Sequence, residues 1–219
     1  MTMTDTIDLA ALTAWLYRFQ QLAAENRSHL TELDSAIGDA DHGANLDRGM
    51  AAVVAALDEA PAAAADELFK RTGMTLVSTV GGASGPLYGT LFLRLGTSLG
   101  AVESASPAAF GAALRAGLEG VVQRGKAEAG DKTMYDALAP AVAAFEGAAA
   151  SDASATDAAH AAFAAAVAGR DATVPLVARK GRASYLGERA VGHPDPGATS
   201  TALLFQALDE TLATTPAER

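Results

Sequence analysis

The 219-residue sequence contains no cysteine, which excludes disulfide bonds, thiol nucleophiles and cysteine-held metals. Aromatic residues make up only 5%, with a single tryptophan, and no segment shows the alternation of a half-buried strand. Basic residues are also short: 16 Lys and Arg stand against 26 Asp and Glu, a net charge of −10. No basic stripe exists to neutralise a nucleic-acid backbone, so no nucleic-acid partner is expected. No apolar run approaches the roughly 20 residues of a membrane span, so no membrane partner is expected either. The opening Met1-Thr-Met-Thr-Asp5 lacks the basic and apolar regions of a signal peptide. The expectation is a soluble cytoplasmic protein.

What the sequence has instead is alanine and a recurrent helical period. The hydrophobic fraction is 50%, inflated by alanine, which favours tightly packed helices. Leu9, Leu12, Trp15, Leu16, Phe19 and Leu22 share one helical face, and a short second helix leads through Leu30 and Leu33 to Asp34. Another helix runs from Asn45 to about Leu57, with Pro61 marking the break. Asp66 is placed as the cap of the next. Ser84 is expected to cap a helix with Pro86 in its first turn, and Ser106-Pro107 opens a further one. Helices are predicted at about 133–147 and 156–171, and a last one from about Ala198. No Pro/Gly/Ser-rich linker divides the chain. The reading is one all-α domain over residues 1–219, an antiparallel bundle of about eight helices.

Between the helices lies an unusual stretch, Asp34-Ser-Ala-Ile-Gly-Asp39-Ala-Asp41-His42-Gly-Ala-Asn45. Three carboxylates fall within eight residues, and no Lys or Arg lies between Glu32 and Arg48. Like charges this close repel, and a hard divalent cation that takes oxygen ligands relieves them. An EF-hand does not fit, because the twelfth position counted from Asp39 is Met50 rather than Glu. Zinc does not fit four scattered histidines. Magnesium is the best match, and because Mg²⁺ is usually shared with substrate phosphates, it predicts a phosphate-bearing ligand. The plainer alternative makes Asp39 or Asp41 an N-cap, with Gly38 and Gly43 as turn residues.

Four irregular segments, 34–45, 81–86, 123–133 and 179–200, each precede a helix, so each can aim free backbone N–H groups at one point. Gly81-Gly82-Ala83-Ser84-Gly85 is either a phosphate cradle or a plain interhelical turn, and it lacks the Gly-Lys-Ser/Thr ending of a Walker A loop. His42 either contacts a phosphate or caps the loop. Met134 either packs in the core or lies against a purine. Arg182 and Asp195 either form surface pairs or, for the arginine, bind phosphate.

Six strings carry a resemblance: Ala36–Gly43, Gly81–Gly89, Arg124-Gly-Lys-Ala-Glu128, Gly130-Asp-Lys-Thr-Met134, Ala178–Arg189 and Asp195-Pro-Gly-Ala-Thr-Ser200. In this order, and over essentially the whole chain, they resemble the nucleotide-binding L subunit of dihydroxyacetone kinase. One departure is Ala129, where relatives often carry proline. The resemblance implies an eight-helix antiparallel barrel with the nucleotide at one end. It implies that Asp34, Asp39 and Asp41 hold two Mg²⁺ ions, and that His42, Gly43, Ala44, Asn45, Ala83, Ser84 and Gly125 line the nucleotide site. Met134 would lie at its base, and Arg182, Asp195, Pro196 and Gly197 would complete it.

The resemblance further implies bound ADP or ATP, a K subunit that holds dihydroxyacetone, and a phosphohistidine protein of the phosphotransferase system as donor. A chain without a fused K domain resembles this bacterial version, in which ADP stays bound. No residue is singled out as a catalytic nucleophile or base. A homodimer is carried as a further expectation. Two alternatives stay open: an ATP-exchanging subunit for another short ketose such as erythrulose, and a non-catalytic regulatory module that responds to Mg-nucleotide.

Overall fold

The structure is a computed structural model that describes residues 6–214. The opening pentapeptide, read above for a signal peptide, and residues 215–219 of the expected domain lie outside the described residues. The described residues form α1 (Leu9–Glu25), α2 (Arg27–Ile37), α3 (His42–Glu59), α4 (Ala65–Thr79), α5 (Ser84–Leu99), α6 (Pro107–Gly125), α7 (Tyr135–Ala150), α8 (Ala155–Ala172) and α9 (Pro196–Thr214). A 3-10 segment spans Arg182–Ala190, and two two-residue strands, β1 (Ile7–Asp8) and β2 (Ser104–Ala105), pair antiparallel.

Each of α3 to α9 packs on the next, and α1 closes the circle by contacting both α9 and α3. That is an eight-helix ring, with α2 as a ninth helix outside it, against α3, α9 and the 3-10 segment. Successive helices of the ring run antiparallel, the up-and-down arrangement of bundles; most connections are short, but the one between α8 and α9 is long and carries the 3-10 segment. The fold class expected from the sequence is therefore the observed one.

The ring closes on its few aromatics. Trp15, fully buried, lies 6.0, 5.9 and 5.7 Å from the ring centres of Phe69, Phe92 and Phe110, and Phe110 stacks edge-on against Phe145. Trp15 Nε1 donates to the Leu204 carbonyl at 2.8 Å, so the indole satisfies its one polar atom on α9. Alanine fills the other side: Ala158, Ala159, Ala162 and Ala166 of α8 are fully buried. No helix is long and apolar enough to cross a membrane among the described residues.

Several helix starts differ from the sequence reading. Ser106 caps α6 as expected, its hydroxyl accepting from Ala109 N–H. Asp66 does not cap α4. It sits in the first turn, while Glu67 reaches back to accept from Ala63 N–H at 2.9 Å. Ser84 is the first residue of α5 rather than its cap, and its hydroxyl is taken by His42. The last helix begins at Pro196, two residues early, because Pro fits the first helical position and Asp195 Oδ2 accepts from Ala198 N–H at 2.7 Å. The two strands, too short for any alternation to show, went unread.

Candidate active site

Alternation of helix direction brings the N-termini of α3, α5, α7 and α9 to the same end of the ring. There they border a cleft of about 980 Å³. Four positive dipole ends face one space, the setting in which an anion is held without a basic stripe, although side chains already take some of their N–H groups, as Asp34 and Asp195 do at α3 and α9.

The acidic stretch folds into that cleft. Asp34, in the last turn of α2, is buried, Asp41 is half-buried and Asp39 exposed, and one oxygen from each lies within 4.8 Å of the others. Asp34 is locked. Its Oδ2 accepts from Asp41 N–H at 2.8 Å and His42 N–H at 3.1 Å, so the capping oxygen of α3 comes from the preceding helix. The side chain of Asp41, in the N-cap position, makes no capping bond. Gly38 lies so close to Asp34 that an added Cβ would collide with Oδ1, which explains glycine there. Between Asp39 and Asp41, Ala40 takes a left-handed conformation at φ 62°, strained for a residue with a Cβ. Asp39 pairs with Arg182 Nε at 2.7 Å across the mouth.

His42, the first residue of α3, is buried, and burial pushes its imidazole below its usual pKa. Its Nδ1 lies 3.0 Å from Ser84 Oγ and its Nε2 lies 2.9 Å from Ser200 Oγ. Ser200 Oγ is in turn 2.8 Å from the buried Tyr88 hydroxyl. Burial raises that phenol to about 12, so it stays protonated. Polar side chains thus connect the core to the start of α5, directly behind the glycine turn 81–85. Asp195 is buried at the start of α9, and desolvation pushes its carboxyl up to about 7 against the lowering effect of the Ala198 N–H.

The cleft is lined by Asp34, Asp39, Asp41, His42, Ala83, Ser84, Gly125, Met134, Arg182, Asp195, Pro196 and Gly197, all singled out in the sequence. Gly43, Ala44 and Asn45 are not among the lining residues; they follow His42 in the first turn of α3. Gly43 faces α2, where a Cβ would collide with the Arg27 carbonyl, so here its small size serves helix packing. Asn45 is buried and accepts from Arg48 at 2.7 Å. Ala44 is half-buried.

Sequence reasoning missed Tyr88, Lys132 and Ser200. Each fell inside a string that carried the resemblance, but only packing shows that its polar atom is buried and paired. Lys132, 1% exposed, donates to the carbonyls of Ala190, Leu176 and Val174 at 2.7, 3.1 and 3.5 Å.

Comparison with known proteins agrees with this geometry. The DAK2 domain matches residues 36–210. The chain is 45% identical over 197 residues to the Escherichia coli PEP-dependent dihydroxyacetone kinase, ADP-binding subunit DhaL, covering 89% of this chain and 92% of that one. It is 43% identical over 213 residues to the Lactococcus lactis PTS-dependent dihydroxyacetone kinase, ADP-binding subunit DhaL, covering 97% and 100%. Among solved structures, the dihydroxyacetone kinase of C. freundii in complex with AMP-PNP and Mg²⁺ superposes with a TM-score of 0.71 at 29% identity, over 92% of this chain and 34% of that one. A ring of eight helices, an aspartate trio at its mouth and a match over most of the chain lead to one conclusion: the protein belongs to the DAK2-domain family.

Proposed function

We propose that this chain is the nucleotide-carrying subunit of a dihydroxyacetone kinase, a phosphotransferase that holds ADP or ATP with Mg²⁺ at the mouth of the ring. The phosphoryl group on that nucleotide passes to dihydroxyacetone bound by a separate K subunit. The observation that carries this reading is the trio Asp34, Asp39 and Asp41, with ligand oxygens within 4.8 Å, set against four helix N-termini. The relatives named as ADP-binding subunits at 43–45% identity support it.

The residues fit the cation. Three carboxylates offer only hard oxygen donors, the set Mg²⁺ prefers, and six oxygens with phosphate can serve two ions. When bound, Mg²⁺ neutralises charge on the phosphate oxygens. The protein's own part is positioning. Asp34, fixed by two N–H donors, sets the depth of the cluster, while the N-termini of α3 and α5 aim N–H groups at the phosphates. Ser84 adds a hydroxyl oriented by His42. Arg182 supplies a guanidinium paired with Asp39 of the trio. Met134, 5% exposed beside the cleft, gives an apolar floor for the base. Gly125, Asp195, Pro196 and Gly197 complete the wall, and the whole chain acts as one nucleotide-binding domain. Phosphoryl transfer needs alignment and charge neutralisation more than a covalent protein intermediate, and alignment is what these residues supply.

The names of the relatives, PEP-dependent and PTS-dependent, favour a phosphoenolpyruvate-driven relay. Our reading of that relay has a phosphohistidine protein recharge a nucleotide that is not exchanged. The test is retention. Protein purified without added nucleotide and dialysed keeps ADP, read by absorbance and mass after acid release. Recovery free of nucleotide, with turnover on free ATP and a K subunit, supports the ATP-exchanging alternative instead.

A further inference from the structure

The string Gly130-Asp-Lys-Thr-Met134 contains the buried Lys132 just described. An ammonium has three protons. Here Ala190, Leu176 and Val174 offer three carbonyl acceptors, the last at 3.5 Å. No proton is left for a phosphate, although Lys132 borders the cleft, so the usual reading of a pocket lysine as an anion binder does not hold. The three carbonyls have a different meaning. Leu176 and Val174 lie on the strand of chain entering the 177–190 loop, and Ala190 lies where it leaves.

We propose that Lys132 is the positioning residue of Arg182: its ammonium ties together the two stems of the loop, so that the guanidinium is held over the aspartate trio. The inference rests on the reading of the cleft as a Mg-nucleotide site.

The loop has little else to hold it. Its apolar anchor is a small cluster of Ile37, Ala178, Ala183 and Ala190, with Leu186 alongside. Two backbone bonds assist at the neck, Arg179 N–H to the Asp131 carbonyl at 3.0 Å and Gly192 N–H to the Val174 carbonyl at 2.9 Å. The first of these comes from the residue beside Lys132, so the same turn holds the entering stem twice. Lys132 itself sits in a left-handed conformation, φ 61°, which aims its side chain away from the regular path of the turn. Arg182 is 69% exposed and, among the described residues, its ion pair is with Asp39, so its place depends on the stems rather than on packing of its own.

Hydrogen exchange on the nucleotide-free full chain tests the tie directly. In Lys132→Met, amides of residues 181–186 are expected to exchange about tenfold faster or more, those of α5 and α6 unchanged, with Lys132→Gln in between. Both variants then enter a double-mutant cycle with Arg182→Ala, read as the dissociation constant for ADP with Mg²⁺. Lys132→Met weakens binding about tenfold when Arg182 is present and leaves it unchanged when residue 182 is alanine. Unchanged loop exchange in both variants overturns the proposal, as does a loss of affinity that persists without Arg182. If Lys132→Met does not fold, Lys132→Gln carries the same comparison. Should wild-type protein bind no ADP with Mg²⁺, the reading of the cleft fails, while the exchange experiment still decides whether Lys132 ties the loop.

Discussion

Asp34 accepts from the backbone N–H groups of both Asp41 and His42, so a residue of one helix caps the next. On the proposed reading of the cleft, this one carboxylate serves stability and the cation cluster together, while Asp39, paired across the mouth with the exposed Arg182, serves the cluster.

Two substitutions separate these roles. In EDTA, Asp34→Ala is expected to lower unfolding stability by about 1–3 kcal/mol, from two lost charge-assisted bonds and an uncapped helix. Asp39→Asn should change it by less than about 1 kcal/mol, since exposed ion pairs contribute little. Both should abolish Mg²⁺-dependent nucleotide binding. Denaturant melts and calorimetric titration check the pair; equal stability losses would contradict the division.

The left-handed Ala40 offers a test of opposite sign. Glycine adopts φ 62° without the Cβ penalty, so Ala40→Gly is expected to stabilise the folded state by about 1 kcal/mol, less the added entropy of the unfolded chain. A drop in melting temperature would show that the side chain is held by something other than local strain.

Asp195 gives a pH dependence. Its carboxyl is raised in the folded protein to about 7 from 3.8, so between these values the native state binds more protons than the unfolded one. Stability of the nucleotide-free protein from this group therefore falls as pH rises from about 4 to 7, by up to about 4 kcal/mol. Asp195→Asn keeps an acceptor for Ala198 N–H and removes the titration. It should be more stable than wild type at pH 8 and close to it at pH 4, in urea melts at both pH values.

Trp15 reports the closure of the ring. It is fully buried, so its emission should shift to the red on unfolding, in step with the loss of helix by circular dichroism if unfolding is cooperative. Trp15→Ala is expected to cost about 3–5 kcal/mol.

The sequence showed most of the fold because its cues were local. Leu12, Trp15, Leu16 and Phe19 follow the helical period, and Ser106-Pro107 is a start signal read from two adjacent residues. What it hid was non-local. Nothing near Asp41 says that the oxygen capping α3 comes from residue 34, seven positions earlier, and nothing in the polar run from 123 to 132 says that Lys132 is buried. The partners of that lysine are 42 to 58 residues away. Likewise, Asp34, Asp39 and Asp41 could be picked out by charge density, but the proximity of Ser84 and Ser200 to His42 follows only from ring closure.

The ring also dictates how a ligand arrives. Helix ends act over a turn or so, whereas a charge of −10 sets the field at a distance. An incoming nucleotide polyanion is therefore repelled until it nearly touches the rim, and capture should quicken as salt shields that repulsion. Slow entry is a handicap for a subunit that must reload from solution at every cycle, but it matters little to one that captures its nucleotide once and keeps it.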